Sequence, residues 1–305
     1  MASPSTKAGF PDALQPDFRE VTIQKFNETE DPVGEMFTIK SSDRHSETVS
    51  AIGPMGDLPK FTGTLTYDGP DQMYDVTAVH VEFAGGVQIQ RSLYDDDQFD
   101  VINDFFGMLG RAGKLTRIKD CYQLLNNAFS IDNEFYNHTE GVALCSNSHT
   151  STRSGISTSA GFDNLSTTAL SATALTADVI TFRNFKDNAG EPIDISPNEI
   201  YAPINLEDQL TEIVKTRFGL DTAEGNVNVH DGRFSVKTSV RLTDTNNWFL
   251  CNSALRKEAL YWYDRIPFET GKMESFDQYM AKGRAYMRYS YLYKFWQFIL
   301  GHQVS

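Results

Sequence analysis

Short stretches between residues 61 and 90 alternate apolar or small residues with polar ones. Phe61, Gly63, Leu65 and Tyr67 alternate with Thr62, Thr64 and Thr66, and Val79, Val81 and Phe83 alternate with His80 and Glu82. Beyond Gly85-Gly86, Val87 and Ile89 alternate with Gln88 and Gln90. A period of two is that of a strand, because successive side chains leave a pleated backbone on opposite faces. The paired glycines predict a bulge or bend. Gly53-Pro54-Met55-Gly56-Asp57-Leu58-Pro59 predicts a turn-rich tip. An excursion of two strands is marginal alone in water, so residues 36–94 predict an extended β loop that lies against another surface.

The next pattern changes period. Phe99, Ile102, Phe106, Leu109, Ile118, Tyr122, Leu125 and Phe129 recur in steps of three and four, the spacing of one helix face. Asp95-Asp96-Asp97 stand before it, where carboxylates complement the helix dipole. A helix over 95–129 would be about 50 Å long, interrupted locally by Gly107, Gly110 and Gly113.

Residues 146–176 are rich in Ser and Thr and predict a mobile surface loop. A capped helix follows Asn164-Leu165-Ser166, and residues 186–190 form a turn. A strand interrupted by Pro197 spans 193–203, a helix 206–218, and Phe234 to Leu242 alternate as a strand. The last segment sets Tyr279, Ala281, Ala285, Met287, Tyr289, Tyr291 and Tyr293 on one parity, and Lys282, Arg284, Arg288 and Lys294 on the other. That pattern predicts a strand with an apolar and a cationic face. Residues 1–35 carry Pro4, Pro11, Pro16 and Pro32 among polar residues, which predicts an arm that docks through residues such as Phe10 and Phe18. Helices and strands interleave, so the fold class is α+β.

Composition narrows the function mainly by exclusion. With Lys+Arg 27 against Asp+Glu 41 the formal net charge is −14, the wrong sign for a chain whose main task is gripping nucleic acid. No run of about 18 apolar residues predicts a membrane span. The first residues lack the apolar core of a secretory signal. Cys121, Cys145 and Cys251 are widely spaced, which predicts neither a disulfide framework nor a zinc site and points to synthesis in a reducing interior.

Residues 107–114 mimic a phosphate loop, but Met108 stands where the first glycine belongs and Leu115 follows Lys114. The six histidines have no ligand spacing, so neither a metal nor a cofactor is expected. Cys145 and His149 could be imagined as the thiolate and base of a soluble α+β hydrolase. A buried cysteine and a solvated histidine describe them better, and no enzyme activity is expected.

The order of these pieces resembles the major capsid protein of tailed bacteriophages, the HK97-type fold. Arg91 to Asp97 resemble its passage from extended loop to spine helix. Asn164 to Leu175, Gly190-Glu191-Pro192-Ile193 and Ile200 to Pro203 resemble its axial domain. Leu242 to Leu250 resemble the strand before the return to the peripheral domain, and Arg284 to Gly301 the C-terminal ending. The resemblance implies an N-terminal arm over 1–35, an extended loop over 36–94 and a spine helix with peripheral domain over 95–140. It places the axial domain over 141–252 and the peripheral-domain return over 253–305.

It also implies a virion protein, assembled in the host cytoplasm, whose copies form pentamers and hexamers of an icosahedral head around double-stranded DNA. No membrane is involved. A scaffold would be a separate protein, since no long helical extension precedes the arm, and portal and decoration proteins would be further partners. Asp57, Lys60 and Phe61 at the loop tip, Phe10 and Phe18 in the arm, and Arg284 and Arg288 near the C-terminus are the expected assembly residues. Lys60 is a single lysine in a turn, so no covalent crosslink is expected. An encapsulin-like compartment shell would share the fold.

Overall fold

The computed structural model describes residues 15–58, 60–65, 67, 69–90, 99–216, 227–275 and 280–305. Its first elements are helices α1 (Gln15–Asn27) and α2 (Val33–Met36), where the prolines had predicted an extended arm. Pro16 falls in the first turn of α1, where its missing N–H breaks no hydrogen bond. Asp31 Oδ1 accepts from Val33 N at 3.1 Å to start α2. Val33, Met36 and Phe37 are then buried in the main core.

Helix α1 lies along the long helix α3 (Phe99–Asn126), which runs unbroken through Gly107, Gly110 and Gly113. These glycines are places of close approach. A Cβ on Gly110 would stand 2.2 Å from the Thr22 carbonyl oxygen, and one on Gly113 would stand 2.5 Å from the Phe268 ring. Phe26 of α1 stacks on Phe268 at 4.2 Å. The inner face of α3 also buries Lys114, Arg117 and Asp120, charges that an apolar count overlooks. Arg117 grips both Asp264 carboxylate oxygens, at 2.6 and 3.1 Å, beneath the Trp262 ring. Lys114 and Arg117 also reach Asp31, each at 3.1 Å. Lys114 and Arg117 are thus paired, as burial requires.

Beneath α3 lies a four-stranded sheet. It contains β1 (Thr38–Ser41), β4 (Val81–Gln90), β10 (Leu260–Ser275) and β11 (Met280–Tyr293), in the order β1-β10-β11-β4. Strand β1 runs parallel to β10, and the other pairs are antiparallel. The predicted C-terminal strand is β11: Tyr289, Tyr291 and Tyr293 are buried, while Arg284 is exposed. Phe135 stacks on Tyr291 at 4.5 Å and Trp262 on Tyr289 at 4.7 Å. Gly85-Gly86 makes no bulge, because β4 pairs with β11 in unbroken register. A Cβ on Gly86 would meet the Gly283 carbonyl oxygen at 2.9 Å, so glycine allows the strands to approach there. The register shifts lie in β10, between Asp264 and Glu269.

A second, three-stranded sheet joins β2 (Ser46–Ile52), β3 (Gln72–Val79) and β5 (Tyr136–His138). A third follows the order β6-β12-β9-β7-β8, with β6 (Leu165–Ser166), β7 (Glu199–Pro203), β8 (Ser235–Ser239), β9 (Trp248–Cys251) and β12 (Ile299–His302). Helices α4 (Ala172–Arg183), α5 (Glu207–Lys215) and α6 (Ser253–Ala259) and a 3-10 turn at Ile204–Leu206 complete the described elements. Helix α4 begins later than expected, capped by Ser171 Oγ accepting from Ala174 N at 3.1 Å. The strand expected over 193–203 is confined to β7, after Asp194 with φ of 49° and Pro197. The Ser/Thr-rich segment is hydrogen-bonded and partly buried where a mobile loop was expected. Ser151 Oγ donates to the Asn188 carbonyl at 2.7 Å and Thr152 Oγ1 to the Gln72 carbonyl at 2.9 Å.

Asp120 gives the fold a pH dependence. Burial pushes its carboxyl up from 3.8 to about 6, against the Tyr289 hydroxyl that donates to it at 2.6 Å. Between those values the folded chain holds a proton that the unfolded chain releases, so stability falls as pH rises through this window and is level above it. Asp120→Asn keeps an acceptor for Tyr289 and removes the ionisation. In scanning calorimetry it should gain about 1–2 kcal/mol over the parent at pH 7.5 and nothing at pH 4. An equal difference at both pH values would contradict this account.

Candidate assembly surfaces

The loop between β2 and β3 is closed at its base and open at its tip. Gly53 N donates to the Asp71 carbonyl at 2.8 Å. A Cβ on Gly53 would stand 3.0 Å from the Asn188 amide, so the loop enters where only glycine fits without a shift. Asn188 Oδ1 accepts from Ser151 Oγ at 2.9 Å and Thr152 N at 3.0 Å, and Arg153 pairs with Asp71 at 3.5 Å. The stem is therefore held by residues 151–153 and 188.

Beyond the stem the side chains leave the body. Leu58 is 90% exposed, Tyr67 91%, and Phe61 and Leu65 67% each. Asp57 and Lys60 are exposed as well. The predicted strand over Phe61–Tyr67 does not form; its described residues lie outside every sheet. Among the described residues its apolar alternation has no partner strand. Exposed apolar side chains in such number are what an interaction surface presents.

The other expected assembly residues separate in space. Phe18 lies within α1, and Phe10 lies outside the described residues. Arg284 and Arg288 lie on β11. Arg288 Nε is 3.6 Å from Glu82 Oε1, its register partner on β4, and this carboxylate is within the same chain. Arg284 is exposed and extends over Gly271, whose added Cβ would meet its Nε at 2.8 Å. Sequence reasoning missed Asn188 and Gly53. The two Gly-Pro pairs that bracket the loop, Gly53-Pro54 and Gly69-Pro70, were the available signal.

Cys145 and His149 are both buried, which corrects the expectation of a solvated histidine. Cys145 Sγ lies against Gly301, and burial pushes its thiol up. His149 is bonded to Glu140, Leu144 and Asn164, and among the described residues no hydrogen bond joins it to Cys145. A thiolate–imidazole nucleophile needs that bond. Among the described residues no helix is long and apolar enough to cross a membrane.

Residues 74–295 match the model of a phage capsid protein family. The chain belongs to that family. No curated protein matches it in sequence. Among solved structures it resembles the capsid of a native GTA particle at TM-score 0.56 and 12% identity, covering 100% of this chain and 96% of that one. It resembles a structure of Microbacterium phage Oxtober96 at TM-score 0.54 and 13% identity, covering 91% and 92%. A virus-like particle from Pyrococcus furiosus follows at TM-score 0.53 and 9% identity, covering 96% and 100%. These likenesses show the HK97-type fold. The phage capsid family is one of structural proteins, and this capsid protein is a virion component whose copies build a shell.

Proposed function

We propose that this capsid protein is the major subunit of a tailed-phage head, assembling through pentamers and hexamers around double-stranded DNA in the host cytoplasm. It works by geometry, without enzymatic chemistry. Residues 1–35 act as an arm that includes α1, 36–94 as the extended loop, 95–140 and 253–305 as the peripheral domain, and 141–252 as the axial domain. Scaffolding, portal and decoration proteins are separate chains.

The observation that carries this reading is the loop tip, where Leu58, Phe61, Leu65 and Tyr67 are each 67% or more exposed. Burying one such side chain is worth about 1.5–3 kcal/mol, so a neighbouring copy that covers four of them gains a substantial contact at every repeat of the shell. Asp57 and Lys60 give that contact its polar rim. Arg284 and Arg288 pair with carboxylates at subunit boundaries, Arg288 using the orientation that Glu82 provides. The net charge of −14 limits adhesion of DNA to the wall.

Replacing Leu58, Phe61, Leu65 and Tyr67 together by Ser tests this directly. The variant should keep its circular dichroism and melting temperature yet sediment as free subunits or small oligomers. Shells formed at the parental yield would refute the role of the tip. The encapsulin-like alternative shares the fold, and the phage capsid family match disfavours it. Nucleic acid inside particles recovered from infected cells separates the two readings, because a cargo compartment encloses protein.

A further inference from the structure

Strand β4 ends the sheet order β1-β10-β11-β4, and among the described residues no strand pairs with its outer side. Every second residue of such an edge directs its N–H and C=O away from the sheet, ready to bond another strand. Natural edges are usually blunted by lysine, proline or a bulge. Val81–Gln90 contains neither residue and keeps unbroken register with β11. Ala84, Gly85 and Gly86 at its centre are exposed, so no large side chain screens the backbone there. The strand is also two-sided. Phe83, Gly85 and Val87 alternate with Glu82, Ala84 and Gln88, and an added Cβ on Gly85 would lie 3.6 Å from Leu109, so the first set faces α3. On that side Phe105, Met108 and Leu115 of α3 are 36%, 59% and 39% exposed, on one helical stripe with Leu109 and Ala112. A cavity of about 270 Å³ lies between helix and strand, lined by Phe83, Gly85, Leu109 and Ala112.

We propose that the segment from Phe61 to Leu65 of a second copy adds to β4 as a further strand, with Phe61 and Leu65 turned toward α3 and Thr62 and Thr64 on the outer face. This rests on the reading of the loop tip as an assembly surface and names the surface that it meets. The segment has the same two-sidedness as β4, apolar at Phe61 and Leu65 and polar at Thr62 and Thr64. Its threonines are β-branched and suit a pleated backbone. In its own subunit the segment lies outside every sheet, with Phe61 and Leu65 each 67% exposed. An orphan strand pattern on one copy therefore complements an orphan edge on the next. Backbone bonds along β4 supply the affinity, and the apolar stripe of α3 selects which face turns inward. Five extended residues span about 17 Å, about half of β4. Gly63 has φ of 106° in the subunit, and glycine passes to an extended backbone without steric cost.

Cysteines placed on separate full-length chains test it. Thr62→Cys or Thr64→Cys chains are mixed with Ala84→Cys or Gln88→Cys chains, assembled and mildly oxidised; the native cysteines Cys121, Cys145 and Cys251 are buried. Neighbours on adjacent strands lie within disulfide reach. At least one of the four mixtures should give about tenfold more covalent two-chain product than Thr64→Cys mixed with Lys257→Cys, an exposed position on α6. The double variant Met108→Glu, Leu115→Glu charges the stripe at exposed positions. It should keep the parental melting temperature and raise the protein concentration needed for oligomers by about tenfold or more. Oligomers at the parental concentration in that variant, or crosslinking no greater than the control, would overturn the proposal while the four-serine variant still reads the tip as an assembly surface. Crosslinking only when both cysteines share one chain would place the strand in its own subunit and overturn it too. A parent that forms no oligomer overturns this proposal together with the assembly reading beneath it.

Discussion

Arg256→Met is expected to cost about 3–5 kcal/mol of subunit stability. Arg256 is 2% exposed and binds Glu199 through both ends of its fork, Nε to Oε2 at 2.9 Å and Nη2 to Oε1 at 3.2 Å. Its Nη1 donates to the carbonyl oxygens of Glu35, at 2.7 Å, and Met36. One guanidinium thus ties α2 and α6 to β7, which lie far apart in sequence. Methionine fills much of the volume and leaves the Glu199 carboxylate and two carbonyls without donors. Arg256→Lys keeps a charge but cannot reproduce the fork, so an intermediate loss is expected. Adding Glu199→Gln to Arg256→Met should return part of the loss, because the unpaired charge is then removed. Urea unfolding of the four chains measures the cycle, and a loss below about 1 kcal/mol for Arg256→Met would show that the pair is dispensable.

Gly110→Leu should free α1 from the long helix. An added Cβ falls 2.2 Å from the Thr22 carbonyl oxygen, which is backbone and cannot turn aside. Thr22 is wholly buried, so α1 must move outward and the Phe26–Phe268 stack must open. Overpacking of this kind costs about 1–3 kcal/mol. The more distinctive effect is local. Limited proteolysis should cut within residues 15–30 much faster than in the parent, while the core sheets remain protected. Met108→Leu, on the 59% exposed side of the same helix, is the control and should change neither reading. Unchanged proteolysis of Gly110→Leu would mean that α1 does not depend on this contact.

The elements visible in the sequence are those whose local period matches their burial. The β11 tyrosines and the α3 steps of three and four belong to this class, because the same alternation that predicts the element also faces the core. Helix α1 was hidden for the opposite reason. It has little apolar periodicity of its own and owes its place to the groove that Gly110 leaves open on another helix. Phe61–Tyr67 misled in turn, since a strand-like alternation without a partner strand stays a loop. Lys114, Arg117 and Asp120 were invisible as interior residues because their partners, Asp31, Asp264 and Tyr289, lie far away in the chain. His149 was misread from its polar neighbours in sequence, where only the fold reveals Glu140, Asn164 and Trp296 around it. At the loop tip the situation reverses. Exposure was implied by Gly-Pro punctuation, but nothing in the local sequence says what would meet it.

The most direct test of the central claim is the particle state of the purified, unmodified chain, followed by sedimentation velocity and negative-stain microscopy over a range of protein, salt and crowding conditions. A shell-forming subunit gives closed icosahedral particles of uniform diameter, alone or with its scaffold, in equilibrium with pentamers and hexamers. A monodisperse monomer under every condition, with neither capsomers nor shells, would contradict it.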